Sequence, residues 1–162
     1  MYKQLTARLA STSSKHTEAI AHMIGQNLQG GEVLELTGDL GSGKTTFVRG
    51  LAKAQGSKDS VASPSFTLSH KYDGENLTIY HYDFYRLNQP GVIAHELAEA
   101  LDDPGNVIVI EWANIVQDVL PDRRLTIEFK QTGDNDRLLK FSYRPDSDYL
   151  MEGLETIVNN NY

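Results

Sequence analysis

Val33-Leu34-Glu35-Leu36-Thr37-Gly38-Asp39-Leu40-Gly41-Ser42-Gly43-Lys44-Thr45-Thr46 is the stretch on which the fold turns. A short apolar strand over 33–37 runs straight into Gly38-x-x-x-x-Gly43-Lys44-Thr45, the spacing of the phosphate-binding P-loop. Glycines at 38, 41 and 43 let the backbone take φ > 0 and bring its N–H groups close to phosphate oxygens. Lys44 supplies a point charge for the β- and γ-phosphates, and the Thr45 hydroxyl suits a Mg²⁺ ligand. A helix starting here aims its free N–H groups and positive dipole end at the same anion.

Average residue usage produces this spacing by chance in on the order of one chain in two hundred of this length. The flanking residues therefore decide. Phe47, Val48, Leu51 and Ala52 recur at helical spacing until Gly56, a C′ glycine by position. A glycine-rich turn that binds nothing has no need of lysine and a hydroxyl at the helix start. The stretch reads as a nucleotide site.

Upstream, residues 2–10 alternate loosely as an edge strand, and Ser13 or Ser14 caps a helix with Ile20, Met23, Ile24 and Leu28 on one face. Ser14 or Thr17 is placed either to touch adenine or simply to cap. Downstream, Ser63-Pro64-Ser65-Phe66 sets two hydroxyls around a stiff proline, which suits a segment that orders near a γ-phosphate or an ordinary turn before a strand. Residues 66–72 and 77–84 alternate around Asp73-Gly74, a hairpin signal.

Period-2 spacing puts Asp83 on the same face as Leu77 and Ile79, where a lone carboxylate is costly. It is a candidate for orienting the attacking water, or a partner for Arg86. His81 has no metal-ligand companion at useful spacing and reads as structural. Residues 92–101 look helical; His95-Glu96-Leu97-Ala98-Glu99 lacks the second histidine of a zinc-protease motif. Val107 to Ile110 form a run buried on both faces, as in a parallel sheet, and Glu111 stands at its C-terminal end, where open α/β sheets bind ligands. Trp112 can pack beside the nucleotide or in the core. Leu125–Phe129 and Leu138–Tyr143 read as antiparallel partners, and Leu150, Leu154, Ile157 and Val158 as a final short helix.

The chain has 162 residues, 40% hydrophobic and 23% charged, which suits one domain with a proper core. It holds no cysteine, so disulfides and thiolate zinc sites are excluded, and a reducing cytoplasm is the expected setting. The sequence shows no membrane-length apolar run and no signal-peptide pattern. A net charge of −7 argues against a surface that grips nucleic acid unaided. The expected fold is α/β: a P-loop NTPase-like three-layer domain over residues 1–162, with a mostly parallel central sheet plus antiparallel hairpin strands and a frayed tail from about 159.

Four segments then occur in a telling order: Gly38 to Thr46, Ser63-Pro64-Ser65-Phe66-Thr67-Leu68, His81-Tyr82-Asp83-Phe84-Tyr85-Arg86-Leu87, and Ile110-Glu111-Trp112. Together they resemble the bacterial TsaE (YjeE) family over about residues 10–130. Ala62 stands where that family usually has threonine, Ser65 is often threonine there, and Phe84 often leucine. The resemblance implies an ATPase of tRNA threonylcarbamoyladenosine synthesis, slow alone, with ATP and Mg²⁺ as cofactors. TsaD-like and TsaB-like proteins are the implied partners and carry most of the tRNA contact.

By the same resemblance, Gly38, Asp39, Leu40, Gly41, Ser42, Gly43, Lys44, Thr45 and Thr46 hold the nucleotide; Trp112 is counted with them from its own position after Glu111. Thr45 and Glu111 serve the metal, Asp83 and Lys44 are catalytic, and Ser63, Pro64, Ser65 and Phe66 form a nucleotide-sensitive segment. A P-loop small-molecule kinase and a nucleotide-gated adaptor remain alternatives. A guanine-specific GTPase is disfavoured, since no Asn-Lys-x-Asp segment is present.

Overall fold

A computed structural model describes residues 3–64 and 67–158. Ser65 and Phe66, and the tail from 159, lie outside the described residues. The chain runs β1 (Leu5–Ser11), α1 (Ser14–Asn27), β2 (Val33–Thr37), α2 (Lys44–Ala54), β3 (Ser69–Asp73), β4 (Thr78–Asp83), α3 (Ile93–Asp102), β5 (Asn106–Glu111), β6 (Leu125–Gln131), β7 (Arg137–Tyr143) and α4 (Leu154–Val158). Two 3₁₀ segments, Ala113–Val119 and Pro145–Met151, complete it.

The seven strands form one sheet in the order β1-β7-β6-β2-β5-β4-β3. The P-loop strand β2 lies at its centre, parallel to β5 on one side and to β6 on the other, and β4 continues the parallel block beyond β5. Antiparallel strands close both flanks: β7 against β6, β1 against β7, and β3 against β4. The expected mostly parallel centre with antiparallel hairpins is what forms. All six residues of β5 are buried, as its unbroken apolar run requires of a strand covered on both faces.

Side-chain alternation splits the core in two. Leu34, Leu36, Val107, Val109, Ile127 and Phe129 point to one face, where α1 and α2 pack through Ile20, Ile24, Phe47 and Leu51. Val33, Ile108, Ile110, Tyr82 and Phe84 point to the other, against Leu97 of α3 and Val116 of the first 3₁₀ segment. Three layers result. The Phe47 ring meets the Phe129 ring edge-on at 5.6 Å, which fixes α2, and the loop before it, against β6.

Three local readings need correction. The hairpin strand begins at Ser69 rather than 66, because Leu68 takes φ 67, outside the extended region. Its turn is wider than Asp73-Gly74: Asp73 pairs with Thr78, and Gly74 N–H donates to the Leu77 carbonyl at 3.0 Å. The final helix divides into the Pro145–Met151 segment and α4, separated where Gly153 turns at φ 82. Leu150, Leu154 and Ile157 are buried all the same, so the periodicity identified the right apolar residues and missed the break.

Candidate functional site

Gly38, Gly41 and Gly43 all take positive φ, at 140°, 77° and 108°, and α2 begins at Lys44 immediately after them. At Gly38 a Cβ would stand 2.7 Å from the Phe129 carbonyl, so only glycine lets the loop leave β2 beside β6. Lys44 is buried, and its ammonium folds back onto its own loop, donating to the Gly38 carbonyl and, at 3.2 Å, to that of Asp39. The Ser42 hydroxyl is buried with no hydrogen-bond partner among the described residues.

From the opposite side, Arg137 at the start of β7 donates Nε to the Ser42 carbonyl at 3.1 Å and Nη2 to that of Gly41 at 3.4 Å. The loop's carbonyls are thus tied outward by a residue that no motif singled out. Spacing offered no signal for it, since 95 residues separate Arg137 from Ser42.

The acids arrive from the parallel strands. Asp83 and Glu111 end β4 and β5 directly opposite each other in register. Both are buried, and Asp83 Oδ1 accepts the Tyr85 N–H at 3.0 Å. Glu111 Oε1 lies 3.8 Å from Lys44 Nζ, while its Oε2 is 2.7 Å from His81 Nε2. His81, read from sequence as merely structural, therefore touches a site residue. Two residues before Asp83 on the same strand face, and diagonal to Glu111, its position was legible only once the strand pairing was known.

One cleft of about 330 Å³ is lined by Leu40, Gly41, Gly43, Lys44, Thr45, Thr46, Ser63, Asp83 and Glu111. Lys44 is the one basic side chain in that lining, against two carboxylates. The arrangement fits a magnesium nucleotide: Mg²⁺ takes one or two carboxylates and completes its shell with phosphate and water. Among the described residues no cluster of three or more His, Cys, Asp or Glu side chains could hold a metal by itself.

Trp112 adopts the left-handed conformation, φ 57 and ψ 51, between β5 and the 3₁₀ segment. It does not join the core. It is 36% exposed, its ring lies 5.5 Å from Lys44 Nζ, and Tyr85 tilts against it at 4.8 Å. Such strain costs about 1–2 kcal/mol for a side-chain-bearing residue, so the fold holds this ring at the mouth of the site against its backbone preference.

Of the segment expected to be nucleotide-sensitive, Ser63 lines the cleft and the Pro64 carbonyl accepts the Thr67 and Leu68 N–H groups. A second cavity of about 100 Å³, on the α1 side of the loop, is lined by Ser13, Ser14, Thr17, Thr46 and Arg137 among others. Ser13 proves to be the N-cap, accepting the His16 N–H at 3.0 Å. The Thr17 hydroxyl is engaged with Ser11 Oγ at 2.6 Å, and both Ser14 and Thr17 line this cavity. Asp39 and Leu40 stand within the loop, with Leu40 exposed.

The chain is similar to known proteins over most of its length. The family model for the threonylcarbamoyl adenosine biosynthesis protein TsaE matches residues 11–139, a span that includes every site residue above. The chain is 38% identical over 140 residues to the tRNA threonylcarbamoyladenosine biosynthesis protein TsaE of Bacillus subtilis, covering 86% of each. It is 40% identical over 129 residues to the protein of the same name from Rickettsia conorii, covering 78% of this chain and 72% of the relative. The crystal structure of Bacillus subtilis YdiB superposes with a TM-score of 0.75 at 36% identity, over 96% of this chain and 97% of that one. The chain belongs to the TsaE family.

Proposed function

We propose that the protein is a Mg²⁺-dependent ATPase acting in tRNA threonylcarbamoyladenosine biosynthesis, with hydrolysis supporting turnover of a TsaB–TsaD threonylcarbamoyl-transfer complex. Family membership supports the process. One observation supports the chemistry: Glu111 lies 3.8 Å from Lys44, in a cleft that Asp83 and Thr45 also line.

In this reading the loop N–H groups from Asp39 to Thr46 hold the β- and γ-phosphates, and Lys44 exchanges its two loop carbonyls for phosphate oxygens. Glu111 and the Thr45 hydroxyl hold the metal. Mg²⁺, once bound, neutralises charge that develops on the phosphoryl oxygens. Asp83, whose Oδ1 accepts the Tyr85 N–H, orients the attacking water. The Trp112 ring shields one side of the cleft, and Ser63 stands where it can respond to the γ-phosphate.

The test is phosphate release from ATP with and without purified TsaB, TsaD and tRNA. Slow release alone, strong stimulation by the complete set, and loss of both in Asp83→Asn support the reading. Phosphate transferred to a small acceptor would make the protein a kinase instead. Intact tRNA modification by a variant that releases no phosphate would make it an adaptor.

A further inference from the structure

His81 has no exposed surface, and its imidazole sits against Glu111 at 2.7 Å. A carboxylate can only accept, so His81 Nε2–H donates to Oε2. The other ring nitrogen, Nδ1, is buried without a hydrogen-bond partner among the described residues. A polar ring placed this way loses hydration on one nitrogen to make a single bond with the other. Tyr72, Ile79 and Val109 on the same sheet face are apolar or largely so. A leucine would fill that space without leaving a nitrogen unsatisfied. The core therefore does not need a histidine there; Glu111 does.

We infer that His81 is the positioning residue for Glu111: its Nε2–H occupies Oε2 and so turns Oε1 toward Lys44 and the phosphate loop as a single-oxygen metal ligand. This deepens the reading of Glu111 as a metal ligand and rests on it. Without that bond the Glu111 carboxylate rotates about its last torsion, which is broad for an sp³–sp² bond, and offers Oε1 to the metal for only part of the time. Hydrogen-bonded partners of ligating carboxylates commonly account for ten- to a hundredfold in metal affinity.

The experiment measures equilibrium binding of a fluorescent ATP analogue, with and without Mg²⁺, to the intact chain and to His81→Leu, His81→Gln, His81→Asn and Glu111→Gln. For His81→Leu, Mg²⁺-free binding should stay within about twofold of the parent while the half-saturating Mg²⁺ concentration rises about tenfold. His81→Gln, whose amide N–H reaches close to the Nε2 position, should recover most of that shift; the shorter His81→Asn should not. Should the leucine variant fail to fold, the glutamine–asparagine difference carries the same information.

A leucine variant with the parent's Mg²⁺ dependence, while Glu111→Gln is shifted, overturns the role of His81 and leaves the metal reading intact. Equal behaviour of the glutamine and asparagine variants overturns it likewise. An unshifted Glu111→Gln removes Glu111 from the metal site and the inference with it.

Discussion

The two ends of β2 carry similar parts and use them differently. At the C-terminal end stand Gly38, Gly41 and Gly43 with positive φ, a buried lysine and a cleft holding Asp83 and Glu111. At the N-terminal end stand Gly30 and Gly31, also with positive φ, a buried Glu32, and a cavity of about 120 Å³ lined by Arg123, Arg124 and Tyr149. The difference lies in the partners. Glu32 accepts the Gln29 and Gly30 N–H groups at 2.6 and 2.8 Å and the Tyr149 hydroxyl at 2.9 Å. Arg124 is committed to Glu35 at 2.7 Å, and Arg123 pairs with Asp146 at 3.5 Å.

At the other end, Lys44 is held by the Gly38 and Asp39 carbonyls of its own loop, by the Glu111 carboxylate at 3.8 Å and by the Trp112 ring at 5.5 Å. Buried charge with fixed partners builds the fold; under the proposed function, the buried charge of Lys44 exchanges its partners for a ligand's. Glycines and a cavity alone do not distinguish the two.

Lys44→Ala gives the largest expected effect on that contrast. Losing one or two charge-assisted bonds weakens ATP binding about ten- to a hundredfold. Folded stability moves by less than about 1 kcal/mol, because the carbonyls left behind face a cleft that water fills. Isothermal titration and a denaturant midpoint separate the two quantities; a variant that binds ATP as well as the parent breaks the contrast. Glu32→Ala is its mirror image. It strands three donors and should lower stability by about 2 kcal/mol while the folded protein keeps its ATP affinity. Lost affinity with an unchanged denaturant midpoint would reverse the assignment of the two ends.

Gly31 and Gly41 sharpen the comparison further, since both have positive φ, 84° and 77°, and neither has an atom within 4 Å of an added Cβ. Alanine at either position should cost a similar amount, about 1 kcal/mol of backbone strain. Only Gly41→Ala should also weaken ATP binding, read in the same titration. The smallest effect concerns Tyr149, whose hydroxyl burial, with Glu32 beside it, pushes up to about 12. A pKa raised in the folded state means stability is complete below the unfolded value near 10 and falls as pH rises toward 12. Tyr149→Phe should flatten part of the fall in thermal midpoint between pH 10 and 12; an identical pH profile would count against the Glu32–Tyr149 bond as a structural partner set.

Much of this was legible before any coordinates. The P-loop is read from sequence because its chemistry is made by consecutive residues: glycines, lysine and hydroxyl act where they stand. The unbroken run from Val107 to Ile110 announced a strand covered on both faces, and Glu111 follows from its end. Asp83 could be placed by alternation alone. The break between the last two helical segments was not legible, because Gly153 terminates a helix only through the backbone conformation it takes there.

What tertiary structure decided is which side chains stand across from one another. Alternation says that His81 and Asp83 share a face, but only the pairing of β4 with β5 sets His81 against a carboxylate 30 residues away. The closing of β7 beside β6 likewise delivers Arg137 to the back of the phosphate loop. Local pattern fixes direction and conformation because sterics and periodicity act over a few residues. Contact between distant residues depends on strand order and register, which the packing of the whole sheet selects.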